Sequence, residues 1–327
     1  MKIKQALYIG EKNGIHDRRF IETLEQQFAV KTLFVGEDGS ESDVEFNNYD
    51  CIVAAPLTDS ILKIPSNTST PIIGVSLAYD VNETSDTDLL GRNIQKCDFI
   101  ICDSDYVRKK ICHEYEYPIE STVVIPFGCD IETFKWSGIR DFQKPRFLIT
   151  RNWTKIHSNA LILEALQILN NAGIDFTCIF LGDGPELENA RSLVQDTPLK
   201  SIIEFRGKSL AIVVARLMQD SNIYISASSS DGSSVSLMEA MVNGMVCLVS
   251  DFPSNLEWVN DKKTGFLFSN GSSESLADAL LGILRRTPAE LSIVGRMGQE
   301  FAVKKADWNK NKRVFLDSIL TNSKTNK

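Results

Sequence analysis

The feature that most restricts the fold is an alternation running the length of the chain. Short, nearly continuous apolar runs are separated by longer amphipathic stretches. Strands covered on both faces read as unbroken apolar runs, and the stretches between them as crossover helices. The pattern therefore predicts parallel sheets built from βα units. Strands are expected at 5–9, 32–35, 51–55, 72–76, 98–102 and 122–125, with a helix after the first loop carrying Phe20, Ile21, Leu24 and Phe28 on one face. The polar stretch 80–88 reads as a loop. The alternation pauses at 136–144, just before Pro145, and this pause is taken as a domain boundary. It then resumes with strands at 146–150, 176–181, 202–205, 222–226 and 245–250. Helices are expected around 159–171, after Pro185, after Ser209 and from about Ser233, and the last fifty residues read mainly as helices. The expected organisation is a first doubly wound α/β domain at 1–140 and a second at 141–305. Residues 306–327 read as a terminal helix that ends in a frayed tail.

Composition agrees with two globular α/β domains: 327 residues, 43% hydrophobic and 24% charged. No stretch approaches the ~20 apolar residues of a membrane helix. The first strand begins within a few residues of Met1, leaving no room for a signal peptide. Seven cysteines without a CxxC pair, most of them inside apolar runs, are expected as reduced buried thiols, and with the missing signal peptide they point to a cytoplasmic protein. A net charge of −8 argues against nucleic-acid partners. Residues 1–140 hold 14 Lys+Arg against 23 Asp+Glu, and the remainder 21 against 20, so the halves carry −9 and +1. The near-neutral second half is the better host for an anionic ligand. The acidic first half would not be drawn to anionic lipid, so membrane contact is expected to be peripheral at most.

The segment richest in chemistry is 227–244, Ala-Ser-Ser-Ser-Asp231-Gly232-Ser233-Ser234-Val235-Ser-Leu-Met-Glu239-Ala-Met-Val-Asn-Gly. Small residues after a strand let a ligand approach the backbone, and the N–H groups at a helix start suit phosphate oxygens. Glu239 falls inside an apolar helix, where its carboxylate either points outward or accepts hydrogen bonds, for instance from sugar hydroxyls. A plain capped surface helix, with Asp231 or Ser233 as cap, would read the same way locally.

This segment resembles the donor-binding signature of the retaining family 4 glycosyltransferases, an acidic residue and a glutamate with seven residues between them, with Asp231 in place of the more usual glutamate. Other matches follow in the family's order. Residues 124–134 resemble the segment that ends the first domain, and 148–153 the opening of the second. The Gly182-Asp-Gly-Pro185 turn, the loop 205–208, and 252–258 with 264–268 complete the set. The resemblance is strong from about 98 to 270 and loose before that. It implies a GT-B fold, two Rossmann-like doubly wound domains facing a central cleft, and transfer of a sugar from a nucleotide-diphosphate donor to a glycan, glycolipid or small acceptor. It implies no metal and no other cofactor. By the same resemblance Arg151 and Asp231 are the catalytic candidates. Arg151 would steady the departing diphosphate, with Lys155 as a partner cation. Gly207 and Lys208 would meet the nucleotide base. Gly232, Ser233, Ser234 and Val235 would offer the phosphate-binding turn, Asp231 would hold sugar hydroxyls, and Glu239 the ribose.

Three features stand apart from that pattern. The family's first-domain histidine is missing from 73–80, and the histidines are His16, His113 and His157. His16, in the loop with Gly14, is a candidate contact for phosphate or acceptor, or else a surface histidine. His157 reads as a solvent residue. Asp103-Ser104-Asp105 after a strand could hold a divalent cation, as in metal-dependent glycosyltransferases of the other fold type, or could cap the following helix. Two further functions share the architecture, a nucleotide-sugar epimerase and a non-catalytic nucleotide-sugar-binding scaffold.

Overall fold

The computed structural model describes residues 3–12, 14, 16–36 and 44–324. The chain divides into two compact units, Met1–Phe127 together with Asn309–Lys327, and Gly128–Trp308. The pause at 136–144 thus lies inside the second unit.

The first unit holds six parallel strands: β1 (Lys4–Gly10), β2 (Phe28–Phe34), β3 (Cys51–Ala54), β4 (Ile72–Val75), β5 (Phe99–Cys102) and β6 (Thr122–Val124). They lie in the order β2-β1-β3-β4-β5-β6. β3 and β4 are buried at every residue, as unbroken apolar runs require, whereas the edge strand β2 exposes Ala29, Lys31 and Thr32. Phe28 departs from the sequence expectation. The helix ends at Leu24, and Phe28 instead opens β2 opposite Lys4. Its sequence Phe-Ala-Val-Lys-Thr-Leu-Phe favours a strand once β1 offers an edge to pair with. The stretch 80–88 departs as well. Tyr79–Asn82 forms a helical turn, and Asp80 is buried, accepting Leu57 N–H (2.8 Å), Ser76 Oγ–H (2.9 Å) and Leu77 N–H (3.2 Å). Burial pushes its pKa up to about 6. The Trp308–Asn322 helix buries Phe315 against Phe20, ring centroids 4.9 Å apart, and Lys4 Nζ donates to Ser323 Oγ at its end.

The second unit repeats the plan with β7 (Arg146–Ile149), β8 (Thr177–Phe180), β9 (Ile203–Phe205), β10 (Ile223–Ser226), β11 (Val246–Ser250) and β12 (Phe266–Phe268), all parallel. Their order is β12-β11-β10-β7-β8-β9. Successive residues serve opposite faces: Phe147 and Ile149 join one core with the Asn159–Asn171 helix, and Leu148 joins another with the Val235–Val242 helix. From β7 the chain winds outward through β8 and β9, then returns to lay β10 on the other flank of β7. The crevice at the carboxyl ends of β7 and β10 is therefore the topological switch point, where open α/β sheets bind ligands. Among the described residues no helix is long and apolar enough to cross a membrane. All seven cysteines are free thiols, six of them buried and Cys112 partly so.

Candidate functional site

The loops that leave β7 and β10 meet at the switch point. Arg151 follows β7, Asp231 follows β10, and Arg151 Nη2 lies 2.7 Å from Asp231 Oδ2, with the two side chains only 13% and 17% exposed. The other guanidinium nitrogen, Nη1, donates to Ser234 Oγ (3.0 Å) and Ser236 Oγ (3.2 Å). Asp231 Oδ1 accepts the Gly232 N–H at 3.0 Å, which closes the turn into the helix. Residues some eighty positions apart in sequence thus form one charged cluster.

The helix Val235–Val242 starts at this cluster. Ser234 is its N-cap, with Oγ accepting from Leu237 N, and the first helical bond runs from Met238 N to the Ser234 carbonyl. The Val235 and Ser236 N–H groups precede that bond and lie at the positive end of the helix dipole, the part of a helix that attracts anions. Most of the helix is buried; Val235 and Glu239, one turn apart, form its partly open face. Glu239 therefore sits on the same face as the helix start, about 6 Å further along the axis.

The loop after β7 is held by its neighbours. Asn159 Nδ2 bonds the carbonyls of Arg151 and Asn152, both at 3.1 Å, and Ser229 N donates to the Ile156 carbonyl at 2.8 Å. The Gly182-Asp-Gly-Pro turn lies against it. A Cβ on Gly182, whose φ is +101°, would come within 2.8 Å of the Arg151 carbonyl oxygen, so this close approach requires glycine. Gly182 N in turn donates to the Gly207 carbonyl at 2.8 Å, which brings the 205–208 loop alongside. Gly207 takes a positive φ of 66°, and Lys208 beside it is exposed. Lys155, in a short 3₁₀ turn, is also exposed, and its side chain is not part of the Arg151–Asp231 cluster. His157 departs from the solvent position expected for it. It is partly buried, with Nδ1 2.9 Å from Thr154 Oγ1 and 3.0 Å from the Asn152 carbonyl. Burial and then the nearby Arg151 charge push its pKa down to about 4, which keeps it neutral near pH 7.

In the first unit, the loop after β1 is organised around Asp17. Its Oδ1 accepts the Tyr8 phenol and the Glu11 N–H, each at 2.8 Å, and a Cβ on Gly14 would fall 1.8 Å from Oδ2. His16 is packed among rings, 4.9 Å from Phe127 and 6.0 Å from Phe20 between centroids. Burial, with a smaller push from Arg19, lowers its pKa to about 4, so at neutral pH it carries no charge to offer a phosphate. Further along, Ser104 caps the Asp105–Glu114 helix by accepting from Val107 N, and donates to Asp103 Oδ1 at 3.1 Å. Asp105 is held by Lys109 at 2.8 Å and by Arg108 within its own helix. The Asp-Ser-Asp run therefore works as a helix cap with its second carboxylate already facing two cations.

Sequence reasoning overlooked Tyr224, Ser236 and Asn159. Ser236 could have been noticed as a hydroxyl inside an apolar helix, and Tyr224 as the one phenol in the strand Asn222–Ser226. Asn159 had no local signal, because its partners lie in the preceding loop.

Comparison with known proteins places the chain in a family and a fold type. The family described as glycosyl transferases group 1 matches residues 131–297. Over 205 residues, 58% of its length, the chain is 23% identical to the alpha-monoglucosyldiacylglycerol synthase of Streptococcus pneumoniae (strain ATCC BAA-255 / R6), covering 45% of that protein. It is 26% identical over 172 residues, half its length, to the amylovoran biosynthesis glycosyltransferase AmsK of Erwinia amylovora, covering 42%. The chain thus spans less than half the length of these curated relatives. Among solved structures, Anabaena HepE in complex with UDP and glucose superposes with a TM-score of 0.77 at 17% identity, over 97% of this chain and 100% of that one. At that identity the likeness speaks for the fold, and it shows the two-sheet α/β GT-B type expected from the sequence.

Proposed function

The chain belongs to the glycosyl transferases group 1 family, and from that premise we propose that it moves a sugar from a nucleotide-diphosphate donor to a glycan, glycolipid or small acceptor with retention of configuration at the anomeric carbon. The observation that carries the reading is the meeting of Arg151 with the start of the Val235–Val242 helix at the switch point. In transfer, the bond between the anomeric carbon and the diphosphate oxygen breaks, a bond to the acceptor oxygen forms, and the acceptor hydroxyl releases its proton to solvent. The nucleoside diphosphate leaves with added negative charge. A guanidinium fixed by Asp231, Ser234 and Ser236, beside the Val235 and Ser236 N–H groups, is preorganised to receive that charge. Glu239, on the open helix face, is assigned to the donor's ribose hydroxyls. Asp231 steers Arg151 and lies where it can also meet a sugar hydroxyl.

The leaving-group charge is met by these groups without a metal in this proposal. Support comes from Asp105, whose carboxylate already faces Arg108 and Lys109. The relatives' names refer to a glucosyl-diacylglycerol and to amylovoran. HepE was solved with UDP. Both fit a hexosyl donor and a glycan or lipid-linked acceptor. The test is a thermal-shift screen of the purified chain against UDP-, GDP-, ADP- and dTDP-sugars in EDTA. One base should raise the melting temperature, and Glu239→Ala should abolish the rise. No stabilisation by any donor, or stabilisation only after Mn²⁺ is added, would overturn the proposal.

A further inference from the structure

A phenol buried inside the second unit is wired to the site without touching it. Tyr224 is the second residue of β10, paired with Leu148 on β7 and Cys247 on β11, and is fully buried. A buried O–H must find an acceptor, and that of Tyr224 donates to Ser236 Oγ at 2.9 Å. The same oxygen receives Arg151 Nη1. A hydroxyl oxygen accepts two hydrogen bonds, so these two donors fill Ser236 Oγ, which lies 3.3 Å from Ser234 Oγ. Ser234 Oγ also receives Arg151 Nη1 and the Leu237 N–H. The result is a continuous chain from the core of the sheet through Ser236 to one end of the guanidinium, which Ser234 also receives, while Asp231 holds the other end.

We propose that Tyr224 and Ser236 are positioning residues for Arg151: the phenol orients the Ser236 hydroxyl so that its lone pair faces Nη1, and the hydroxyl fixes the guanidinium in the orientation that receives the donor's diphosphate. The inference rests on the donor-site reading above. Arginine has many rotamers, and a group that must be ordered at the moment of binding costs affinity that a preordered one keeps. The planar fork also makes orientation count, since a rotated guanidinium presents the wrong N–H pair to phosphate. In this proposal the phenol acts on the ligand through Ser236 and Arg151. Its loss should therefore be felt as a weaker diphosphate contact rather than as a different base preference.

The test is isothermal titration of the full chain with UDP, GDP, ADP and dTDP in EDTA, continued with whichever binds. Tyr224→Phe keeps the ring in the core and removes one O–H. It should weaken binding about three- to tenfold, the size of one intramolecular hydrogen bond. Ser236→Ala should weaken it at least as much, and Ser236→Thr, which keeps the hydroxyl, should restore affinity to within about twofold. In an Arg151→Ala background, Tyr224→Phe should have no further effect, because the path to the ligand is already cut. Ser236→Ala reports the same link from the helix side and keeps the test valid if β10 tolerates no change.

Three outcomes would overturn the inference. The first is equal weakening by Tyr224→Phe with and without Arg151, together with a lowered melting temperature, which would mark the phenol as a packing group only. The second is wild-type affinity in Tyr224→Phe and Ser236→Ala while Arg151→Ala loses binding, which removes the positioning role and leaves the donor reading standing. The third is a wild type that binds none of the four nucleotides, or an Arg151→Ala variant that binds like wild type, which removes the donor reading and this inference with it.

Discussion

Arg140 should be worth more to stability than any other single cation in the second unit, and the structure gives the size of the effect. The side chain is 8% exposed and meets the carboxyl ends of two helices at once. Nη1 donates to the carbonyls of Met218 (2.8 Å) and Ser221, at the end of the Ala211–Asp220 helix. Nη2 donates to the Asn243 carbonyl and Oδ1, both at 2.8 Å, at the end of Val235–Val242. Helix carboxyl ends carry partial negative charge and unmade carbonyl bonds, so one cation serves both needs. Its guanidinium also lies 4.7 Å from the Trp136 ring centroid. Replacing it by Met keeps the stem and removes every donor, leaving three backbone carbonyls and Asn243 Oδ1 without that partner at ~1–3 kcal/mol each. Part of that is offset because the desolvation of Arg140, which lowers its pKa to about 10, disappears with the charge. The net loss should be about 2–4 kcal/mol, or roughly 5–15 °C in melting temperature for a unit of this size. Differential scanning calorimetry of Arg140→Met reads it directly. A shift under about 2 °C would refute the reasoning, because the helix ends would then have been satisfied without the guanidinium.

Other predictions follow from the same geometry. The folded pKa of His16, about 4, lies below its unfolded value of 6.5, so the unfolded chain binds more protons between them. Its contribution to stability is complete above about pH 6.5 and falls away as pH drops toward 4. His16→Phe, which fits among Phe20 and Phe127, should remove that acid-dependent loss from melting curves taken between pH 7 and 4.5. Gly182→Ala forces a Cβ against the Arg151 carbonyl at positive φ and should lower both melting temperature and nucleotide affinity. Gly173→Ala, also at positive φ but with open space around it, should lower stability alone, and titration with calorimetry compares the two. Asp105→Asn should change stability by less than about 1 kcal/mol, since its ion pairs are partly exposed, and should leave sugar release at the wild-type rate with Mn²⁺ present as well as in EDTA; a loss confined to the Mn²⁺ assay would return a metal role to Asp103 and Asp105.

The parallel sheets were legible because burial on both faces writes itself into the sequence as unbroken apolar runs. β3 at Cys51–Ala54 and β11 at Val246–Ser250 are examples. The Asp231–Glu239 segment was legible because its small residues and its helix are contiguous. Phe28 was misread because its spacing from Leu24 suits a helix as well as a turn followed by a strand, and the β1 edge that decides between them is distant in sequence. Asp80 was read as part of a loop and His157 as a solvent residue, since polarity is local while burial depends on which segments fold over a position. The Tyr224–Ser236–Arg151 chain was invisible for the same reason: strand β10, the helix start and the loop after β7 converge only when the sheet reverses its winding at β7.

The central claim is that this second unit breaks a nucleotide-sugar bond with Arg151 as the principal cation and no metal. It is tested most directly by following nucleoside diphosphate release in EDTA from whichever donor the screen identifies, for wild type and for Arg151→Ala. The account predicts release by wild type that is indifferent to EDTA, a fall of at least about tenfold in Arg151→Ala, and a transferred sugar with the donor's anomeric configuration. Release that requires Mn²⁺, or that proceeds at the wild-type rate without the arginine, would contradict it.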